Sequence, residues 1–143
     1  MLFGTERNQM RQLFIDAWRK QQQALPMAPL ERMIADIELD HPEYHALLAS
    51  PGEALEKEFP PETGESNPFL HMAMHISLRE QVGTDRPAGI GRLYQRLVQR
   101  LGDVHEAEHR LMECLARMLW EAQVNQRLPD EQTYLECVRS LLP

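Results

Sequence analysis

Basic residues are scarce in this chain: 15 Lys and Arg stand against 22 Asp and Glu, a net charge of −7. That deficit argues against general nucleic-acid affinity, which needs a surface that neutralises phosphate. It argues equally against adsorption to anionic lipid. No apolar run is long enough to cross a bilayer, and the polar opening MLFGTERNQ lacks a signal-peptide pattern. Only two cysteines occur, Cys114 and Cys137, and their spacing is neither a zinc ribbon nor a redox motif. In a chain read as unexported they are expected reduced and packed, and the expected location is the cytoplasm. Glycine is sparse, and Gly89-x-Gly91 matches no nucleotide fingerprint. No serine or cysteine nucleophile constellation is recognisable. Trp18 and Trp120 sit in apolar stripes and are expected in the core.

What is present is helical periodicity. At 143 residues, 43% hydrophobic and 26% charged, the chain fits one domain, 1–143, with a single core. The first helix is expected from about Thr5 to Gln23, with Met10, Leu13, Phe14, Ala17 and Trp18 as its apolar stripe. A second opens near Pro29, with Leu30, Met33, Ile34 and Ile37 inward, and breaks at His41-Pro42 because proline excludes its predecessor from the α region. Pro42 starts a short helix. Ser50-Pro51-Gly52-Glu53 reads as a serine cap for another, through about Phe59. A loop follows at 60–66. Asn67 caps a strong helix that Gly83 ends. The remaining helices are expected at Ala88–Leu101, from an Asp103 cap to about Asn125, and from Pro129, the last packing through Leu135, Val138, Leu141 and Leu142. The fold class is therefore all-α, an irregular single-domain helical bundle of about five to six helices.

All six histidines fall into pairs four residues apart: His41 and His45 in HPEYH, His71 and His75 in HMAMH, His105 and His109 in HEAEH. Random placement would give about 0.2 such pairs. Residues four apart share a helix face, so both imidazoles of a pair reach one ion. Imidazole suits zinc, iron and copper alike. His71, His75, Leu78 and Val82 form one stripe, and His105, His109, Met112, Ala116 and Leu119 another, so both pairs are expected inward on facing helices. Each pair lies in the first turns of its helix, which an antiparallel helix between them would bring to one end of the bundle. The positive end of a helix disfavours a cation, so a carboxylate belongs in the set, with Glu108 the first choice and Glu43 the second. His41 and His45 straddle a helix start and make a looser third pair, with His41 alternatively capping the Pro42 helix.

HEAEH also matches H-E-x-x-H, in which the glutamate serves as general base of a zinc protease. Asp103 and Glu106 stand instead at the cap and third positions, and Glu106, Arg110, Glu113 and Arg117 trace a solvated face. Glu106 is therefore read as a capping residue. Met72 and Met74 are read as core filler rather than copper ligands. Arg92, Arg96 and Arg100 line one face of their helix, which is either a solvated face or a docking surface for an acidic or phosphate-bearing partner.

The segment NPFLHMAMHISLREQVGTDRPAGI (Asn67 to Ile90), with RQLFIDAW, HPEYHALL and HEAEHRLMECLARMLWEAQ, resembles a bacterial family known as domain of unknown function 1841. The resemblance covers nearly the whole chain. It implies a stand-alone cytoplasmic bacterial protein and carries no activity or catalytic residue. The arrangement is also similar, as architecture alone, to the DinB and hemerythrin-type metal proteins, which place histidines on facing helices.

The functional expectation is a transition-metal protein with ligands from His71, His75, His105 and His109, Glu108 as carboxylate, and His41 and His45 as third pair. Were it an enzyme, metal-assisted hydrolysis or oxidation would be the reaction class. The alternative is a metal-free interaction or adaptor protein whose histidines are structural or pH-sensing. Metal identity, substrate and oligomeric state are left open.

Overall fold

A computed structural model describes residues 2–60 and 67–142. Over the described residues the chain is all-α, with no strand. The order is α1 (Leu2–Gln22), α2 (Pro29–Leu39), a 3-10 turn (Pro42–Tyr44), α3 (His45–Leu48), α4 (Pro51–Glu56), α5 (Pro68–Thr84), α6 (Ile90–Leu101), α7 (Val104–Val124) and α8 (Glu131–Ser140). Eight α-helices thus replace the expected five to six. The short α3 and α4, expected after Pro42 and Pro51 respectively, stand as separate helices and bring the number above that total. Beyond Pro60, the loop expected at 60–66 lies outside the described residues. The chain groups into two compact units, one up to Ile76 and one from Ser77, and α5 contributes to each.

In the first unit, α1 buries Phe14, Ile15, Ala17 and Trp18 against Ile34 and Ile37 of α2, Leu48 of α3, Ala54 of α4, and Phe69 and Met72 of α5. Phe14 and Phe69 meet edge to face at 5.8 Å. Met10 and Leu30, expected inward, are 38% and 43% exposed. The buried stripe is rotated: Arg11 holds the inward place beside Phe14, and Glu38 the one after Ile34. Arg11 is 2% exposed. Its Nη1 donates to the carbonyls of Ala54 (3.1 Å), Leu55 (3.3 Å) and Lys57 (2.7 Å), satisfying the orphan acceptors at the end of α4. The same guanidinium lies 4.9 Å from the centre of the Phe69 ring. Burial first, and the neighbouring Arg7 charge second, lower its pKa. Ser50 does not cap α4; its hydroxyl turns back and donates to the Ala46 carbonyl. Asn67 does cap α5, its Oδ1 accepting from the amides of Phe69 and Leu70.

In the second unit, α6 contributes Ile90, Leu93 and Leu97 to the core, α7 contributes Ala107, Leu111, Leu115 and Met118, and α8 contributes Tyr134, Leu135 and Val138. Gly102, at φ 69°, ends α6 in the left-handed region that favours glycine. Asp103 then caps α7 through the amides of His105 and Glu106, and Asp130 caps α8, which begins two residues later than expected. The buried stripe of α7 runs through Ala107, Leu111, Cys114, Leu115 and Met118, so Ala116 and Leu119 of the expected stripe are exposed. Trp120, placed in the core by its apolar neighbours, is 63% exposed on the other face. The cysteines are also corrected. α7 and α8 pack together and bring the Cα atoms of Cys114 and Cys137 to 5.8 Å, and the two are joined as a disulfide rather than left as thiols. This removes the thiol argument for a reducing compartment. None of the described helices is long and apolar enough to cross a membrane.

Candidate metal centre

In the first unit three histidines form a cluster. The ring centres of His41 and His71 are 5.1 Å apart, those of His41 and His75 4.9 Å, and those of His71 and His75 4.9 Å. α2 and the Pro42 turn supply His41, and α5 supplies the other two. His41 and His75 are 3% and 1% exposed, while His71 is half-buried. His41 and His75 each offer a ring nitrogen, the two within 4.8 Å of each other. The Nε2 atoms of His71 and His75 are 3.3 Å apart, one donating and the other accepting.

The His41 ring has a defined orientation. Its Nδ1 lies 2.7 Å from the Ile37 carbonyl. A carbonyl can only accept, so Nδ1 carries a proton. A ring N–H donated to a backbone carbonyl is also the usual way a ligating histidine is anchored. His41 stands at the N-cap of the Pro42 turn, but its side chain makes no cap bond; the ring bonds back to α2, and Tyr44 stacks on it at 5.3 Å. His45 is a packing residue: its Nε2 donates to the Glu38 carbonyl at 2.7 Å and its ring lies 4.2 Å from that of Trp18.

Glu38 is 0% exposed, and neither of its carboxyl oxygens has a hydrogen-bond partner among the described residues. Burial pushes its pKa up to about 9. A carboxyl in that setting is neutral at pH 7.

In the second unit, the half-buried His105 and His109 lie one turn apart on α7 with ring centres at 4.1 Å. Their nearest ligand atoms also fall within 4.8 Å of each other. Glu108, between them in sequence, is 1% exposed. It accepts from Arg79 Nε at 3.2 Å and from the Tyr94 hydroxyl at 2.6 Å. Burial, then the bond to Glu108, raises the Tyr94 pKa. Glu106 points elsewhere, accepting from Arg110 Nε at 3.1 Å on an exposed face. It does not return to the cap. Glu43 is exposed. Met72, read as core filler, is buried, and Met74 is half-buried.

Arg11, Glu38 and Tyr134 are the buried polar side chains that the sequence reading missed. Each occupies a stripe position, at i−3 from Phe14, i+4 from Ile34 and i−4 from Val138 respectively. A polar residue on an apolar stripe was the available signal. Arg92, Arg96 and Arg100 are exposed, and Arg96 and Arg100 line a surface pocket with Gln99 and Leu142.

A family model described as a domain of unknown function, DUF1841, matches residues 6–140. No curated protein and no solved structure matches the chain.

Proposed function

The chain belongs to the DUF1841 family, and we propose that it binds a transition metal through its histidines. His41 and His75, with His71 paired to His75, are the ligands of the first unit; His105 and His109 are those of the second. Two imidazoles are half of a tetrahedral set, which water or a further side chain completes. The observation that carries this reading is the buried His41 ring, anchored through Nδ1 on the Ile37 carbonyl and offering a ring nitrogen within 4.8 Å of one on His75. Neutral imidazole donors suit zinc, iron or copper. A bound ion would supply Lewis-acid or redox chemistry. Glu108, held by Arg79 and Tyr94, and His45, held by the Glu38 carbonyl, would position their neighbours rather than ligate.

Elemental analysis of untagged protein after reconstitution tests this, with His75→Ala and His109→Ala as variants. Metal lost in His75→Ala identifies the ligands of the first unit, and metal lost in His109→Ala those of the second. Two equivalents, one lost in each variant, identify separate ions. Metal below one equivalent in the unmutated protein overturns the proposal.

A second reading has its own observation. Arg96 and Arg100, with Gln99, line a surface pocket in a chain of net charge −7, which suits an acidic or phosphate-bearing partner. Arg96→Glu with Arg100→Glu would abolish capture of such a partner and leave metal content unchanged.

A further inference from the structure

Cys114 and Cys137 share more than a bond: both line a surface pocket of about 300 Å³, together with Arg117, Glu121, Thr133 and Glu136. The two sulfurs are not equivalent. Cys114 is 3% exposed, whereas Cys137 is half-buried. An entering thiol therefore reaches the Cys137 sulfur and leaves the Cys114 sulfur as the departing group. Arg117, one turn beyond Cys114 on α7, supplies a positive charge near the site where that thiolate forms. α8 is also held independently of the bond. Tyr134, Leu135 and Val138 are buried, and the Tyr134 hydroxyl donates to Gln81 Oε1 at 2.7 Å.

We infer that Cys114–Cys137 is a reversible thiol–disulfide exchange site for small amino-acid-type thiols. The ligand class follows from the lining: Arg117 suits a carboxylate, and Glu121 with Glu136 an ammonium group. In the forward direction a small thiolate attacks Cys137 Sγ, the protein S–S bond breaks, and Cys114 Sγ leaves as a thiolate that takes a proton from water. A second small thiolate then attacks the ligand sulfur of the mixed disulfide. Cys137 is released as a thiolate and the small disulfide departs. Two electrons pass from two small thiols to the protein, and the small disulfide reverses the sequence. The site lies within the second unit and stands whether or not metal is bound.

The test uses the full chain, with cysteine as reductant and cystine as oxidant. Maleimide labelling followed by mass measurement counts thiols while far-ultraviolet circular dichroism follows the helices. Both thiols should appear in the folded protein with helicity retained, and cystine should remove them. Cysteine should act several-fold faster than mercaptoacetate at equal thiolate concentration. In Cys114→Ser, Cys137 should form a mixed disulfide with cystine; in Cys137→Ser, Cys114 should stay unmodified until denaturant is added. A bond that opens only in denaturant, or helices lost as thiols appear, would show a purely structural disulfide and overturn the inference. Equal labelling of the two single-cysteine variants would overturn the assigned direction of attack, and equal rates for the two reductants the ligand class. If a variant fails to fold, thiol counting on the unmutated chain still decides.

Discussion

Replacing Glu38 with glutamine removes a titration that burial has displaced far from its ordinary range. The carboxyl is 0% exposed, has no hydrogen-bond partner among the described residues, and has its pKa pushed from 4.5 to about 9. Below about pH 4.5 both folded and unfolded chains carry the proton, so this group adds no pH dependence. Between there and about pH 9 the unfolded chain ionises while the folded chain stays protonated. Stability therefore falls as pH rises, by up to about 1.4 kcal/mol per pH unit. At pH 7 the accumulated cost is on the order of 3 kcal/mol. Glutamine is neutral in both states and abolishes this component. Urea unfolding followed by circular dichroism, with chelator present, should give similar stabilities for Glu38→Gln and the parent at pH 5. The variant should gain steadily towards pH 8. The difference between the two curves is the relevant quantity, because other acids titrate in both proteins. A difference independent of pH would refute the reasoning.

Arg11→Met should lower stability by about 3 kcal/mol or more in the same assay, since three carbonyls at the end of α4 lose a charged donor; Arg11→Lys should recover part of the loss. Asp103→Ala should cost about 1 kcal/mol by removing the cap of α7, and Asp103→Asn should restore most of it, read as shifts in thermal midpoint. Glu106→Gln should leave metal content unchanged and move stability by less than about 0.5 kcal/mol, because its partner Arg110 is an exposed surface pair. A loss of metal in Glu106→Gln would revive the H-E-x-x-H reading.

The helical class and most helix limits were legible because they depend on local chemistry. Asn67, Asp103 and Gly102 mark ends through caps and a left-handed residue, and Pro42 ends α2 by excluding its predecessor from the α region. What was misread depends on which face packs. Rotation of the stripe on α1 and α2 puts Arg11 and Glu38 inside and leaves Met10 and Leu30 exposed, and on α7 it exposes Trp120. Periodicity gives a helix its apolar face only to within about one residue, and a buried charge reads as a solvent position unless its acceptors are known. The disulfide was hidden for a related reason. Cysteines 23 residues apart meet only when two helices pack in one register. The histidine pairs were legible as pairs, but not their partners: the Ile37 carbonyl behind His41, and Arg79 and Tyr94 on Glu108.

The claim that these histidines hold a metal is tested most directly by elemental analysis of untagged, reconstituted protein beside its His75→Ala variant. The expected result is at least one equivalent of zinc, iron or copper per chain, reduced by at least one equivalent in the variant with helicity unchanged. Substoichiometric metal in the parent, or full retention in His75→Ala, would contradict it.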